Sequence, residues 1–141
     1  MRVVAGALIE NARLLVACRG LGRAHAGLWE LPGGKVEPGE SDELALEREW
    51  LEELNLKIQA GRHLITITLD ELPSPLTFAV YLCSRLEGEP VAQEHSEIRW
   101  LEHHELAALD WAPADRPVVS CLIDAIRETY SLPHPTSKDS S

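Results

Sequence analysis

Apolar and polar positions alternate between two rhythms along this chain. Residues 3–9 form one continuous apolar run and residues 13–18 a second, with Asn11 and Ala12 between them. Short apolar runs bounded by turn residues predict strands, here a hairpin. Residues 20–27 hold Gly20, Gly22 and Gly27 with little periodicity and read as a loop. Residues 28–31 predict a short strand ending at Pro32, after which Gly33 and Gly34 form a tight turn. Over 42–54 the rhythm becomes helical. Ser41 is a fitting N-cap, and Asp42 and Glu43 fall in the first turn, where the helix dipole favours anions. Asn55 tolerates the left-handed geometry that ends a helix. Leu44, Leu46, Trp50, Leu51 and Leu54 are assigned to the packing side. Glu49, Glu52 and Glu53 are assigned to the other, within an arc of about 100°. Further strands are expected over 56–70, bent near Gly61, and over 76–86, with Pro73 and Pro75 marking the turn between them. Glu87-Gly88-Glu89-Pro90 is another turn. A short strand over 98–101, a short helix over 102–109 and a longer helix over 116–130 complete the pattern. Strands and helices mix without regular alternation. This predicts an α/β (α+β) domain over 1–130, a mixed β-sheet flanked by helices. The Ser- and Pro-rich stretch 131–141 is expected to be a disordered tail.

A length of 141 residues suits one domain, and 45% hydrophobic residues suffice for a normal core. The 13 basic against 23 acidic side chains, a net charge of -10, argue against a partner such as duplex nucleic acid, which needs a basic face. A small phosphorylated ligand stays compatible, because a bound cation reverses the local sign. No apolar run reaches the roughly 18 residues of a membrane span. The N-terminus lacks the apolar region and cleavage site of a signal peptide. Cys18, Cys83 and Cys121 each lie in an apolar run and read as buried thiols of a reducing, cytoplasmic protein.

Candidate chemistry concentrates between Gly34 and Leu56. Five residues separate Gly34 from Glu40, and seven separate Glu40 from Arg48-Glu49-Trp50-Leu51-Glu52-Glu53. Glu49 lies three residues before Glu52 and four before Glu53, so the three carboxylates can converge on one or two hard cations. Mg²⁺ is the first expectation and Mn²⁺ the second, because a few carboxylates plus substrate phosphates complete such a shell. The plain alternative is a solvated acidic face. Leu31-Pro32-Gly33-Gly34-Lys35 brings bare backbone beside the helix, where it can approach a metal or phosphate closely. The Arg48 fork can hold Glu49 or a loop carbonyl, or simply pair with Glu52 one turn on. Glu40 either steadies the loop or serves as a helix-start anion. His25, His95, His103 and His104 show no ligand spacing with this stretch and read as surface residues.

These residues resemble the Nudix box, G-x5-E-x7-R-E-U-x-E-E-x-G-U with U bulky and aliphatic. The matches are Gly34, Glu40, Arg48, Glu49, Glu52, Glu53 and Leu56. Trp50 departs at a U position but stays bulky and apolar, and Asn55 replaces the second Gly while preserving its turn. The similarity runs from about residue 3 to 119, towards the MutT-type and CTP-pyrophosphohydrolase-type members. Gly27-Leu28-Trp29-Glu30-Leu31-Pro32-Gly33-Gly34-Lys35 carries it, as do Glu87-Gly88-Glu89-Pro90 with Glu94, and Trp111-Ala112-Pro113-Ala114-Asp115-Arg116-Pro117.

The resemblance implies an α/β/α sandwich. It also implies a Mg²⁺-dependent hydrolase that cuts (deoxy)nucleoside triphosphates, oxidised or modified ones included, into monophosphate and pyrophosphate. The Gly33 carbonyl, Glu49, Glu52, Glu53 and Glu94 would hold metal. Glu49, Glu53 and Glu94, with Arg48 orienting, would carry catalysis, and Glu49 or Glu94 would be the base. Arg19, Gly34, Lys35 and Asp115 would face the nucleotide. Members reading 8-oxoguanine carry Asn where this chain has Asp115, and cytidine-type members carry Asp. An ionised Asp only accepts hydrogen bonds, which suits the cytosine amine, although guanine also offers N–H donors. Asp115 is equally placed to N-cap a helix starting near Arg116. Rival readings are another substrate class (ADP-ribose, a dinucleoside polyphosphate, a coenzyme) and a non-catalytic nucleotide-binding regulatory module. The module would be expected to have lost glutamates that this chain keeps. A monomer or homodimer is expected.

Overall fold

A computed structural model describes residues 1–71 and 73–131. The elements in chain order are β1 (Arg2–Glu10), β2 (Arg13–Arg19), β3 (Trp29–Glu30), β4 (Gly33–Lys35), α1 (Asp42–Leu54), β5 (Lys57–Leu69), β6 (Leu76–Glu87), β7 (His95–Leu101) and α2 (Val119–Ser131). Two 3-10 turns, His103–Ala108 and Arg116–Val118, precede α2. Apart from Ser131, which closes α2, the expected tail lies outside the described residues.

The sheet is mixed, as expected, and β1 organises it. β1 runs parallel to β6, from Arg2 opposite Thr77 to Leu8 opposite Cys83. It pairs antiparallel with β4 through Val3↔Lys35, Val4↔Gly34 and Ala5↔Gly33. Its last residues, Ile9 and Glu10, pair with β2. The path β3-β2-β1-β6-β5 takes β4 onto β1 and β7 onto β2. The β1–β2 connection puts Asn11 and Ala12 at φ 53° and 60°, the left-handed pair of a tight hairpin. Both faces of β1 are covered, which explains its unbroken apolar run. Val4 and Leu8 join Leu46, Trp50 and Leu54 of α1 in one core. Ala5 and Ala7 join Trp111, Leu122 and Ile126 in the core beneath α2. The result is the expected α/β/α sandwich.

Several boundaries differ from the sequence reading. Gly33 and Gly34 pair with β1 as a strand instead of forming a turn, and at Gly33 a Cβ would overlap the Val4 carbonyl oxygen of β1. β7 begins at His95, three residues before the apolar run that announces it. The stretch 102–109 tightens into a 3-10 turn, and 116–130 begins as one before widening into α2. Cys18 and Cys83 are buried free thiols, but Cys121 is only half-buried. β5 shifts register around Ala60 and His63, where the bend at Gly61 was expected. Among the described residues no helix is long and apolar enough to cross a membrane.

Helix α1 carries the correction that matters most. Ser41 Oγ accepts from Leu44 N at 3.1 Å, and Asn55 ends the helix at φ 53°, both as expected. Its orientation is not as expected: Leu44 and Leu51 are 59% and 52% exposed, whereas Glu53 is buried. At about 100° per residue, Ala45, Glu49, Glu53, Leu46, Trp50 and Leu54 share one arc of about 180°. The helix therefore packs through an arc that contains two of its glutamates.

Candidate active site

Trp50 builds the floor on which the glycine strand rests. The Pro32 carbonyl accepts from Gly6 N at 3.0 Å and from Trp50 Nε1 at 2.8 Å. The bulky departure from the box thus adds a hydrogen bond that an aliphatic side chain lacks. A Cβ on Gly6 would stand 2.9 Å from the Trp50 ring. One on Gly33 would overlap the Val4 carbonyl oxygen, and one on Gly34 the carboxyl group of Glu49. Glycine at 34 is therefore the condition for Glu49 to lie against the backbone of β4.

Arg48 links the loop to the helix. Its Nε and Nη2 donate to the two oxygens of Glu40 at 2.7 and 3.0 Å, a bidentate pair. Nη1 donates to Glu49 Oε2 at 2.9 Å and to Glu52 Oε1 at 3.5 Å, and Nη2 to the Lys35 carbonyl at 3.1 Å. Glu40 also accepts from the Glu37 backbone N–H at 3.0 Å. With Arg48 as its main partner, the Glu40 carboxyl is held down to about 2. Both readings of Arg48 hold together, since it fastens Glu49 and a loop carbonyl and also touches Glu52. Glu40 steadies the loop.

Beside this rim opens a cavity of about 860 Å³. Glu49, Glu53 and Glu94 line it, together with Gly33, Gly34, Lys35, Arg19 and Asp115. Apolar surface from Leu76, Phe78 and Pro113 lines it as well. Burial pushes the Glu53 carboxyl well above the usual range, and the neighbouring Glu49, Glu30 and Glu94 charges push the same way. Among the described residues, Glu53 Oε1 is buried without a hydrogen-bond partner. Asp115 is also buried, its Oδ1 accepting from Leu31 N at 2.9 Å. Burial, the largest influence, raises its carboxyl well above the ordinary value. Asp115 occupies the N-cap position of the following 3-10 turn but makes no side-chain capping bond there, its Oδ1 accepting from Leu31 N instead.

The cavity thus collects eight of the ten residues selected from the sequence. Arg48 stands behind Glu49, and Glu52 lies on the exposed side of α1. Among the described residues no three acidic, histidine or cysteine side chains converge on one metal position. Glu49 and Glu53 lie side by side in the cavity, whereas Glu52 sits apart on the exposed side, so the expected convergence of the three requires side-chain rotation. Two residues of the cluster were missed. Glu30, on β3, accepts from Arg19 Nη1 at 2.7 Å and meets His95 Nε2 at 2.8 Å. His95, assigned above to the surface, is buried beside it and lies 3.9 Å from Glu53 Oε1. Neither carries a periodic signal, since one sits on a two-residue strand and the other at a strand's first position. Their closeness in sequence to Gly33 and Glu94 is the only linear hint.

The chain is similar to known proteins over most of its length. The NUDIX domain model matches residues 1–121. A Mycobacterium tuberculosis relative, named provisionally as 8-oxo-dGTP diphosphatase 2, is 42% identical over 118 residues, covering 81% of this chain and 82% of its own. The CTP pyrophosphohydrolase of Escherichia coli is 31% identical over 123 residues, covering 87% and 91%. The solution structure of the Escherichia coli ORF135 protein superposes with a TM-score of 0.79 at 31% identity, covering 91% of each chain.

Proposed function

The chain belongs to the Nudix hydrolases, and on that premise we propose that it converts nucleoside triphosphates and water to monophosphates and pyrophosphate with the aid of Mg²⁺ or Mn²⁺. One observation carries the reading: a single cavity holds Glu49, Glu53 and Glu94 together with Arg19, Asp115 and apolar surface. A polyphosphate and a base therefore fit one continuous site. The names of the relatives, an 8-oxo-dGTP diphosphatase and a CTP pyrophosphohydrolase, support a triphosphate.

The donor set fits a hard divalent cation. All its side chains offer oxygen, and Glu53 Oε1 is buried with nothing to accept from. Glu49, Glu52, Glu53, Glu94 and the Gly33 carbonyl would hold it. When bound, the cation would offset the charge that develops on the phosphates and ease ionisation of the attacking water. The residues of the chain do the rest. Arg48 holds Glu49 against Gly34. Glu49 or Glu94 takes the proton as a water O–P bond forms and the P–O bond to pyrophosphate breaks. Arg19, fixed to Glu30, and Asp115 face the nucleotide.

The test is a panel of normal and oxidised nucleoside triphosphates with ADP-ribose and dinucleoside polyphosphates, in Mg²⁺, with pyrophosphate and phosphate read separately. Pyrophosphate released from at least one triphosphate is expected. Cleavage confined to the diphosphate derivatives would overturn the substrate class. Within the triphosphates, Asp115→Asn should alter the ratio between cytosine-type and 8-oxoguanine-type substrates by about tenfold, the net worth of about one hydrogen bond.

A further inference from the structure

Among the described residues, two buried side-chain atoms lack a hydrogen-bond partner, Glu53 Oε1 and His95 Nδ1, and they belong to adjacent side chains. Buried polar groups are ordinarily satisfied, so a pair of exceptions in one place calls for a cause. The His95 side chain is 0% exposed, and its Nε2 lies 2.8 Å from Glu30 Oε2 and 3.9 Å from Glu53 Oε1. Glu30 is an ionised acceptor, because the hydrogen bonds from His95 and Arg19 hold its carboxyl down against its burial. Nε2 must therefore carry the hydrogen. The backbone fixes the same arrangement. Val91 N donates to the Leu54 carbonyl at 2.9 Å and Gln93 N to the Glu53 carbonyl at 3.3 Å. Gln93 Nε2 donates to the Glu52 carbonyl at 3.0 Å. The segment leading to His95 is thus laced to the end of α1, and His95 travels with Glu53.

We propose that His95 is a positioning residue, anchored by the Arg19–Glu30 pair, whose buried imidazole, 3.9 Å from Glu53 Oε1, keeps the Glu53 carboxylate turned to the cavity in the orientation that cation binding needs. A core histidine would be satisfied at both nitrogens, or replaced by an apolar side chain. Here Nε2 donates to Glu30 and stands 3.9 Å from Glu53 Oε1, while among the described residues Nδ1 has no partner. The inference rests on the divalent-cation reading above, and it adds a residue that meets neither cation nor nucleotide.

The experiment titrates Mn²⁺ into nucleotide-free protein and follows free Mn²⁺ by electron paramagnetic resonance, with melting temperatures alongside. A Gln amide reaches the place of Nε2, and an Asn amide only that of Nδ1. His95→Gln should bind Mn²⁺ within about threefold of wild type, and His95→Asn about tenfold or more weakly, the usual scale for residues that orient ligands. A merely structural histidine would lower both melting temperatures and leave the two affinities alike, which would overturn the proposal. Should His95→Asn fail to fold, Glu30→Gln takes its place, since it loosens the anchor without touching a ligand. A fall of about threefold or more in Mn²⁺ affinity is then expected, and an unchanged affinity would overturn the proposal. If wild-type protein takes up no Mn²⁺, the parent reading falls and this one with it.

Discussion

Glu40 and Glu53 are glutamates of one motif, held in opposite electrostatic conditions. Glu40 lies on the rim, gripped bidentately by Arg48, and its carboxyl is pressed down to about 2. Glu53 lies on the cavity floor beside other carboxylates, and burial drives its carboxyl up. The rim is a closed circuit of donors and acceptors. The floor is left open, with one acceptor that nothing satisfies. Position in the motif did not set this difference. Solvent access and the nearest charge did. The rim holds shape, and the floor is where a cation would gain most.

The largest consequence concerns the floor. Glu53→Gln should lower turnover by about a thousandfold with the fold retained, because removing a group on the developing charge costs several kcal/mol. Near-wild-type turnover of a folded Glu53→Gln would refute the assignment. The same variant has a sign that only a strained floor produces. In metal-free protein the folded value of Glu53 lies above its ordinary 4.5. The stabilisation from its bound proton is complete below that value and is lost as pH rises through the folded one. Metal-free Glu53→Gln should therefore melt above wild type at pH 8 and level with it at pH 4. Calorimetry at the two values decides this.

Next comes the seam between rim and floor. Gly34→Ala drives a methyl group into the Glu49 carboxyl. Turnover should fall by about 10²-fold, the scale for misplacing a reacting group, while circular dichroism stays unchanged. Arg48→Lys keeps the charge and loses the fork, so a fall of about tenfold is expected in kcat. An unchanged kcat would mean that the Arg48 fork does not hold Glu49 in place for turnover. The smallest effect belongs to Glu40→Gln, about threefold or less in kcat, since Arg48 keeps its bonds to Glu49 and the Lys35 carbonyl. Its signature is in acid. The Glu40 contribution is present above its ordinary 4.5 and is lost as pH falls towards about 2. Any melting advantage of wild type over Glu40→Gln should therefore vanish across that window.

The fold was legible wherever a short-range rule operates. The apolar runs of β1, β2 and β6, the Ser41 cap, the Asn55 stop and the bend near Gly61 follow from local sterics and burial. The facing of α1 was not legible. Counting apolar residues selects Leu44 and Leu51, yet the helix buries the arc holding Glu49 and Glu53. Periodicity cannot reveal that a cavity lies under part of a packed face. His95 and Glu30 escaped for the same reason. A histidine at a strand's first position and a glutamate on a two-residue strand gain meaning only from what folds against them.

Composition and spacing settled the chemistry that is possible here: carboxylates on a helix, a glycine pair beside them and an arginine between. Those depend on which side chains the chain contains and on a repeat of 3.6 residues, and both are written in the order of the residues. Three-dimensional packing settled the state of each acid. Whether a carboxyl is pressed down as at Glu40 or driven up as at Glu53 and Asp115 depends on water excluded and charges brought near by distant segments. Dielectric and distance have no linear code, so only the folded molecule could assign them.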